Sequence, residues 1–226
     1  MEAATDIVHA TLNLQAGFRI TDGDVLAGAP LTLEFFVRNL SSGRLHVAVG
    51  GDRARGRPDF FSFSASVRGW QLVDPEAGAE YLGGPVGLVS VAPRDTYRQA
   101  VLLNQFLRLE DVIARLPPGG HEELTLTCER LLPCGASEDA AFDLAAAPKI
   151  KAGLACTLRR DDAALLQTLD ELTTTILSGA IERREPALAE LFASRATARE
   201  QLQRIAAHPD RQVAERARRV LATPGD

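Results

Sequence analysis

Apolar and polar residues alternate along most of the first 160 residues of this 226-residue chain. In LTLEFFVRN, Leu33, Phe35 and Val37 share one face, and the other face is mostly polar. The same alternation runs through LNLQAGFRIT, RLHVAVGG and FFSFSASVRG. Strands with one polar face are typical of antiparallel sheets, because parallel sheets are usually covered on both faces. The pattern therefore predicts an antiparallel β structure.

Turn-forming residues separate these strands at short intervals, among them Asp22-Gly23 and Ser41-Ser42-Gly43. Many short strands at this spacing favour two antiparallel sheets that bury one face against each other. A closed barrel is the alternative arrangement. Further strands are predicted at residues 70–74, 86–92, 97–103, 122–130 and 152–159.

The segment NQFLRLEDVIARLPPGG interrupts the alternation. Phe106, Leu109 and Ile113 recur at three- and four-residue spacing, which predicts a short helix that the Pro-Pro-Gly-Gly stretch ends. Residues 133–149 follow neither period, so we expect a loop there with little structure of its own.

From residue 161 onwards the apolar period becomes helical. The aspartate pair at 161–162 is typical of a helix start, and Gly179 predicts the end of the first helix. Pro186 is expected to open a second helix, because proline is favoured in a first turn. Two further helices are expected, at about 196–207 and after Asp210.

The last part of the chain, AHPDRQVAERARRVLA, resembles the helix–turn–helix of HEAT-type repeats, in which a Pro-Asp turn precedes a helix with an Ala-Leu face. The resemblance covers residues 183–222, and the stretch from Val213 to Arg216 departs from the usual Val-Arg pair. Stacked repeats need about three units to bury a common core, and this region has room for fewer. We therefore expect a small helical bundle, covered by the sandwich or by a second protein.

The segment VAPRDTYRQAVLLN is similar to bacterial immunoglobulin-like sandwich domains, among them the intracellular proteinase-inhibitor family. In those domains a proline-bearing turn leads into a strand with alternating apolar residues. The resemblance implies the sandwich that the alternation also favours. We thus expect an α+β protein, with an antiparallel immunoglobulin-like β-sandwich domain at residues 1–160 and a small α-helical, HEAT-like segment at residues 161–226.

The sequence offers little that is typical of catalysis or metal binding. It contains no Gly-rich phosphate loop, nucleophile elbow or HExxH motif, and its four histidines are scattered. TDGD at residues 21–24 begins like a calcium loop but lacks the later ligands, which favours a turn between strands. Cys128, Cys134 and Cys156 lack CxxC spacing and favour buried free thiols, with a Cys128–Cys134 disulfide as the alternative. We expect no cofactor and no metal ion.

Two predicted loops carry the residue types that protein interfaces favour. GGDRARGRPD places Arg53, Arg55 and Arg57 at alternate positions, and PEAGAEYLGGP carries Tyr81 between glycines. In an antiparallel meander both loops should lie at one end of the sandwich, near Trp70. Arginine, tyrosine and tryptophan are enriched among residues that dominate binding energy. These five residues are the candidate partner-binding site, and solvated hairpin tips are the alternative interpretation.

Composition narrows the kind of partner. The net charge of -5 argues against nucleic acid, and no apolar run approaches the roughly 18 residues that span a bilayer. The N-terminal residues show no signal-peptide pattern, so we expect a cytoplasmic protein. The expected function is a non-enzymatic protein–protein interaction module of adaptor, inhibitor or immunity type, with another protein as its partner. The alternative is an enzyme or a small-ligand-binding protein with a site between the sandwich and the helical segment.

Overall fold

The protein is a mixed α+β chain in the computed structural model, which describes residues 3–9, 12–20, 23–52, 57–75, 86–113 and 115–222. The strands are β1 (Ala3–His9), β2 (Leu14–Ile20), β3 (Asp24–Leu26), β4 (Thr32–Asn39), β5 (Leu45–Asp52), β6 (Arg57–Pro58), β7 (Phe61–Val67), β8 (Trp70–Val73), β9 (Val86–Val91), β10 (Thr96–Leu102), β11 (His121–Leu131), β12 (Cys134–Gly135) and β13 (Lys149–Arg159). The α-helices are α1 (Glu110–Ile113), α2 (Glu138–Ala141), α3 (Asp162–Ser178), α4 (Ile181–Ala193), α5 (Arg199–Ile205) and α6 (Arg211–Ala222).

The chain forms two compact units that do not follow a single cut in the sequence. The first unit contains residues 1–23, 32–107 and 123–156. The second contains residues 24–31, 108–122 and 157–226, so the helical region is joined by two segments from the first half of the chain.

Two sheets of the first unit pack face to face through aromatic side chains. One sheet has the strand order β1-β2-β4-β10, and the other contains β13-β11-β7-β8. The ring of Phe18 on β2 lies 5.1 Å from that of Phe35 on β4 and 6.2 Å from those of Phe61 and Phe63 on β7. Phe106 extends the cluster with its ring 4.8 Å from that of Phe63. The inward residues of the predicted alternation therefore form this core, since burial of apolar surface is the main stabilising term.

A third sheet in the same unit is built on β5, which pairs with β12 and β9 and at its end with β6. β9 and β10 follow each other through a turn containing Arg94, whose φ is 69°. They pair with different neighbours: β9 with β5, and β10 with β4. Among the described strands, β10 is therefore an edge of its sheet.

The second unit is held together by an apolar helical cluster. Its fully buried members come from all of α3 to α6, among them Leu169, Leu188, Leu202 and Ala217. Gly28 has a φ of +88°, and a Cβ there would lie 2.4 Å from Ile113 Cδ1. The Thr197 hydroxyl donates to the Gly28 carbonyl at 2.9 Å. Only glycine fits that backbone conformation without strain. The buried residues of the helical cluster are Ala29, Leu165, Leu169, Ile176, Ala187, Leu188, Leu191, Ala198, Leu202, Ile205, Val213 and Ala217.

Several elements differ from the sequence prediction. β3 pairs parallel with the end of β13, with Val25 opposite Leu158, so the expected all-antiparallel pairing is wrong at this point. This pairing joins residues far apart in the chain. The Ala27 N–H donates to the Arg159 carbonyl and so continues the pairing beyond β3. In the segment 104–120, where a short helix ending before Pro117 is predicted, the structure has a 3-10 turn at Leu103–Gln105 and the short α1. The segment 133–149 is not a plain loop, since it contains β12 and α2.

The four C-terminal helices are confirmed, but Pro186 does not open the second of them. α4 begins at Ile181, and Pro186 lies inside it. The N-cap residue Ala180 provides no side-chain hydrogen bond, so no sequence signal marks this start. α3 is capped as expected, because the Asp161 carboxylate accepts the N–H of Ala164 at 3.0 Å.

All three cysteines are free and buried, as expected from their spacing. Burial raises the pKa of the Cys128 thiol to about 12 and the pKa values of Cys134 and Cys156 to about 11. Their side chains therefore serve as small apolar groups of the core at neutral pH. Separately, none of the helices in the described part of the chain combines the length and the apolar character that crossing a membrane requires.

Candidate protein interface and buried arginine

The sequence-predicted loop site falls mostly on residues that the structure does not describe. Arg53, Arg55 and Tyr81 lie outside the described residues. Arg57 begins β6, where its backbone pairs with Asp52. Trp70 begins β8, pairs with Val67 and is partly buried. The gathering of these five residues at one end of the sandwich stays a prediction.

The candidate metal ligands that the structure describes do not form a cluster. Within the described ranges, no three His, Cys, Asp or Glu side chains come close enough to hold a metal ion. His208, expected on the surface, is only 9% exposed, and its Nδ1 accepts the N–H of Asp210 at 3.0 Å. Asp24 of the TDGD stretch forms an ion pair with Arg159 at 3.7 Å. Both residues have local structural partners.

A turn at residues 142–146, here called the Phe142 turn, displays large apolar side chains to solvent. Phe142 is 47% exposed and Leu144 is 53% exposed. Ala145 and Ala146 are exposed beside them. Apolar residues exposed singly are ordinary, whereas large contiguous apolar patches mark interaction surfaces. Among the described residues, two large apolar side chains are exposed within three positions of each other at the Phe142 turn alone.

The backbone of the Phe142 turn is fixed by a side-chain carboxylate. Asp143 Oδ1 accepts the N–H groups of Ala145 at 3.0 Å and of Ala146 at 3.2 Å. An aspartate that satisfies two successive backbone donors stabilises a turn in this way. Phe142 and Leu144, on either side of Asp143, are therefore presented by an ordered backbone.

The helix before the turn is anchored to the third sheet. The Ser137 hydroxyl caps α2 by accepting the N–H of Ala140 at 3.3 Å. α2 lies so close to β12 that a Cβ at Gly135 would be 2.6 Å from the Cβ of Ala140. Cys134, the other residue of β12, pairs with Val47 of β5. A glycine that permits close approach and a cap that starts the helix thus position the Phe142 turn.

The surface around the Phe142 turn is acidic. Glu138 and Asp139 on α2 are exposed, as is Asp143 inside the turn. In the part of the chain that the structure describes, none of these carboxylates forms an ion pair. Two large apolar side chains are therefore displayed next to uncompensated negative charge.

A buried arginine is the second unusual feature of the first unit. β11 alternates strictly, so that Leu124, Leu126, Cys128 and Arg130 all point into the core. Arg130 is 1% exposed, the largest side chain among those that are fully buried. Arginine is almost never fully buried unless it is paired.

The Arg130 guanidinium has neutral partners. Nη1 donates to Gln99 Oε1 at 2.7 Å, and Nη2 donates to the Ala48 carbonyl at 3.3 Å. The guanidinium carbon lies 4.5 Å from the ring centroid of Phe35 and 4.4 Å from that of Phe61. Nε is buried and has no acceptor. The hydrogen bonds therefore connect β11 with β10 and β5, while two aromatic rings enclose the charge.

Burial sets the protonation of this centre. Desolvation lowers the pKa of Arg130 to about 10, so the guanidinium still carries its charge at neutral pH. Desolvation raises the pKa of Tyr97, and the positive charge of Arg130 opposes that shift. The Tyr97 hydroxyl donates to Gln99 Oε1 at 3.1 Å, so one amide oxygen accepts from both the phenol and the guanidinium. The arrangement holds a cation and can attract an anion.

Sequence reasoning missed both features for identifiable reasons. The Phe142 turn falls in the segment 133–149, where a two-residue strand and a four-residue helix are too short to produce a period. Its available signals were Ser137 as a helix cap and Asp143 as a turn residue. Arg130 lies on the inward register of its strand, and the alternation could have placed it in the core.

Comparison with known proteins gives no family assignment. No protein-family model and no curated protein matches the chain. Among solved structures, a red sea bream transglutaminase is similar at 12% identity and a TM-score of 0.32, over 65% of this chain and 16% of that chain. The chain therefore spans about a sixth of that transglutaminase. A protein from Archaeoglobus fulgidus is similar at 14% identity and a TM-score of 0.31, over 71% of this chain and 96% of that chain.

A third solved structure, AvmM, which catalyses macrocyclization in alchivemycin A biosynthesis, has 13% identity and a TM-score of 0.27. It matches over 69% of this chain and 96% of that chain. Likeness at these TM-scores carries no argument about fold or function, so the site alone supports the proposals below.

Proposed function

We propose that the protein is a non-enzymatic protein–protein interaction module, of adaptor, inhibitor or immunity type, and that the Phe142 turn is its contact surface. The observation that carries the proposal is the joint exposure of Phe142 and Leu144, at 47% and 53%, on a backbone fixed by Asp143. Apolar side chains that fill a pocket of the partner contribute binding energy, and an ordered backbone beneath them reduces the conformational entropy lost on association.

Burial of Phe142 and Leu144 by a partner would provide enough binding free energy for a specific contact. Full burial of a leucine or phenylalanine side chain stabilises by about 1.5 to 3 kcal/mol, and each side chain here has about half of that still to gain. The two anchors together therefore provide about 1.5 to 3 kcal/mol, which corresponds to roughly ten- to a hundredfold in affinity. Glu138, Asp139 and Asp143 favour a partner whose apolar pocket is bordered by arginine or lysine.

Other predicted contacts remain part of the proposal. The loop residues Arg53, Arg55, Arg57 and Tyr81, with Trp70 nearby, would form a second contact region. Leu166 and Leu177 on α3 are exposed at 52% and 40% and would mark a helical contact. They are eleven residues apart, which places them on the same side of a helix.

The finer fold assignments are proposals as well. We propose that the first unit is an immunoglobulin-like sandwich and that the C-terminal helices form a HEAT-like hairpin. The edge-to-face contact between the rings of Phe18 and Phe63, which lie on the two facing sheets with centroids 6.2 Å apart, supports the sandwich. The Asp210 carboxylate, which accepts the N–H of Gln212 at 2.9 Å at the start of α6, supports the Pro-Asp turn. Three free buried thiols support a cytoplasmic location.

The proposal is tested by comparing three variants in quantitative pull-downs from native lysate. The first is Phe142→Ala with Leu144→Ala, the second is Leu166→Ala with Leu177→Ala, and the third replaces Arg53, Arg55, Arg57 and Tyr81 by alanine. We expect one protein to be recovered by the wild type and lost from the first variant, with smaller losses from the other two variants. Recovery that the first variant leaves unchanged would contradict the assignment of the contact to the Phe142 turn.

A further inference from the structure

Among the described residues, the charge of Arg130 has no counterion. Its hydrogen-bond acceptors are an amide oxygen and a backbone carbonyl, and no carboxylate in the described chain contacts it. Nε has no acceptor at all. A buried cation without a negative partner costs several kcal/mol, because the desolvation of the charge is not offset. A group that supplies a negative charge at this point would therefore be bound strongly.

Gln99 stands where one oxygen of such a group would lie. Its Oε1 accepts at once from Arg130 Nη1 at 2.7 Å and from the Tyr97 hydroxyl at 3.1 Å. Two converging donors, one of them cationic, match a carboxylate oxygen better than an amide oxygen. Charge-assisted hydrogen bonds are roughly twice as strong as neutral ones, and the enclosed surroundings strengthen them further.

A ligand can reach Arg130 from the edge of the first sheet. Tyr97 and Gln99 both lie on β10, which pairs only with β4 among the described strands. Both side chains are partly exposed, whereas Arg130 behind them is 1% exposed. Rotation of the Gln99 side chain towards solvent would uncover the guanidinium without moving the strand. Such a rotation breaks the hydrogen bonds of Gln99 Oε1 with the guanidinium and with the Tyr97 hydroxyl, and a bound carboxylate replaces both.

The walls of the centre favour a flat, narrow anion. The Arg130 guanidinium lies over the rings of Phe35 and Phe61, which leaves its edge as the direction in which acceptors can lie. A planar carboxylate matches the donor fork of an arginine edge.

We infer that Arg130, Tyr97 and Gln99 form a carboxylate-binding site, in which a ligand carboxylate displaces the Gln99 amide and accepts from the Arg130 guanidinium and the Tyr97 hydroxyl. This site is separate from the proposed function of the Phe142 turn. The carboxylate belongs either to a small free acid or to an acidic side chain of a peptide laid along β10.

The experiment measures binding of acetate to the full chain, by calorimetry and by thermal unfolding at constant ionic strength with chloride as the control. A second arm uses a synthetic extended hexapeptide with a central glutamate, compared with the same peptide carrying glutamine. Gln99→Glu supplies an internal carboxylate. Tyr97→Phe removes one donor and keeps the ring. Arg98→Gln, also on β10, removes only the exposed ion pair with Glu34 of β4 and is the matched control.

We expect saturable binding of acetate or of the glutamate peptide to the wild type and to Arg98→Gln. Tyr97→Phe should weaken binding roughly tenfold, which corresponds to one hydrogen bond to a charged group. Gln99→Glu should unfold at a higher temperature than the wild type and should no longer bind the probe. Response to acetate assigns the site to a free acid, and response to the peptide alone assigns it to a side chain.

Absence of binding in both arms would overturn the inference. Binding that is unchanged in both Gln99→Glu and Tyr97→Phe would overturn it equally, because the anion would then lie elsewhere.

Discussion

The Phe142 turn and the Arg130 centre are opposite departures from the usual distribution of side chains. At the turn, apolar groups are exposed, Phe142 by 47% and Leu144 by 53%. At the centre, a charged group is 1% exposed and its hydrogen-bond acceptors within the described ranges are neutral. Exposed apolar patches and buried unpaired charges are the two informative exceptions in a folded protein. The two features therefore lead to opposite expectations for mutation, a large loss of stability at Arg130 and a small one at the Phe142 turn.

The largest expected effect is a loss of stability when Arg130 is truncated. Arg130→Ala removes the contacts with Phe35 and Phe61 and both hydrogen bonds of the guanidinium, to Gln99 and to the Ala48 carbonyl. We expect a loss of about 3 to 5 kcal/mol in the free energy of unfolding, measured by urea denaturation. Arg130→Met fills the same space without charge and should cost less than about 1.5 kcal/mol. Equal costs for the two variants would show that the space between the rings does not matter.

A smaller effect appears at alkaline pH. Burial raises the pKa of Cys128 to about 12, above the ordinary value of 9.0 that it has when unfolded. The unfolded chain therefore releases this proton first, and stability is lost as pH rises above about 9. At pH 10 the loss from Cys128 is about 1.4 kcal/mol relative to pH 8. We expect Cys128→Ala to reduce the pH dependence of urea unfolding by that amount, and an unchanged pH dependence would contradict it.

These predictions rest on features that the sequence reveals to different degrees. The strands around Phe35 and Phe63 and the helix at residues 162–178 follow regular periods, so their type is predictable from sequence. The parallel pairing of Val25 with Leu158 joins residues far apart in the chain, and no local pattern encodes it. Arg130 shows a further limit, because its inward register and its charge lead to opposite expectations. The orphaned charge and the exposed Phe142 turn depend on tertiary structure.

The turn itself should be less sensitive to mutation. Asp143→Ala removes two hydrogen bonds to exposed backbone N–H groups and should cost about 0.5 to 1 kcal/mol in the free energy of unfolding. Because the backbone of the turn then loses its preferred conformation, partner binding should weaken more than stability does. Asp139→Asn is the matched control, since Asp139 is exposed and its side chain accepts no hydrogen bond within the described residues. Equal loss of binding in both variants would point to charge alone.

The smallest effect on stability is expected for the anchors themselves. Phe142→Ala with Leu144→Ala removes side chains that are about half exposed, so the free energy of unfolding should change by less than about 1 kcal/mol. A loss comparable to that of Arg130→Ala would mean that the two side chains serve the core, and it would contradict their assignment as a contact surface.

The central claim is that the Phe142 turn binds another protein, and photo-crosslinking tests it most directly. A benzophenone side chain placed at Phe142 is compared with the same group at Val73, which is 65% exposed on β8. The account predicts that one protein is crosslinked from position 142 in native lysate and not from position 73, and that Leu144→Ala abolishes the product. The same products from both positions, or none from position 142, would contradict it.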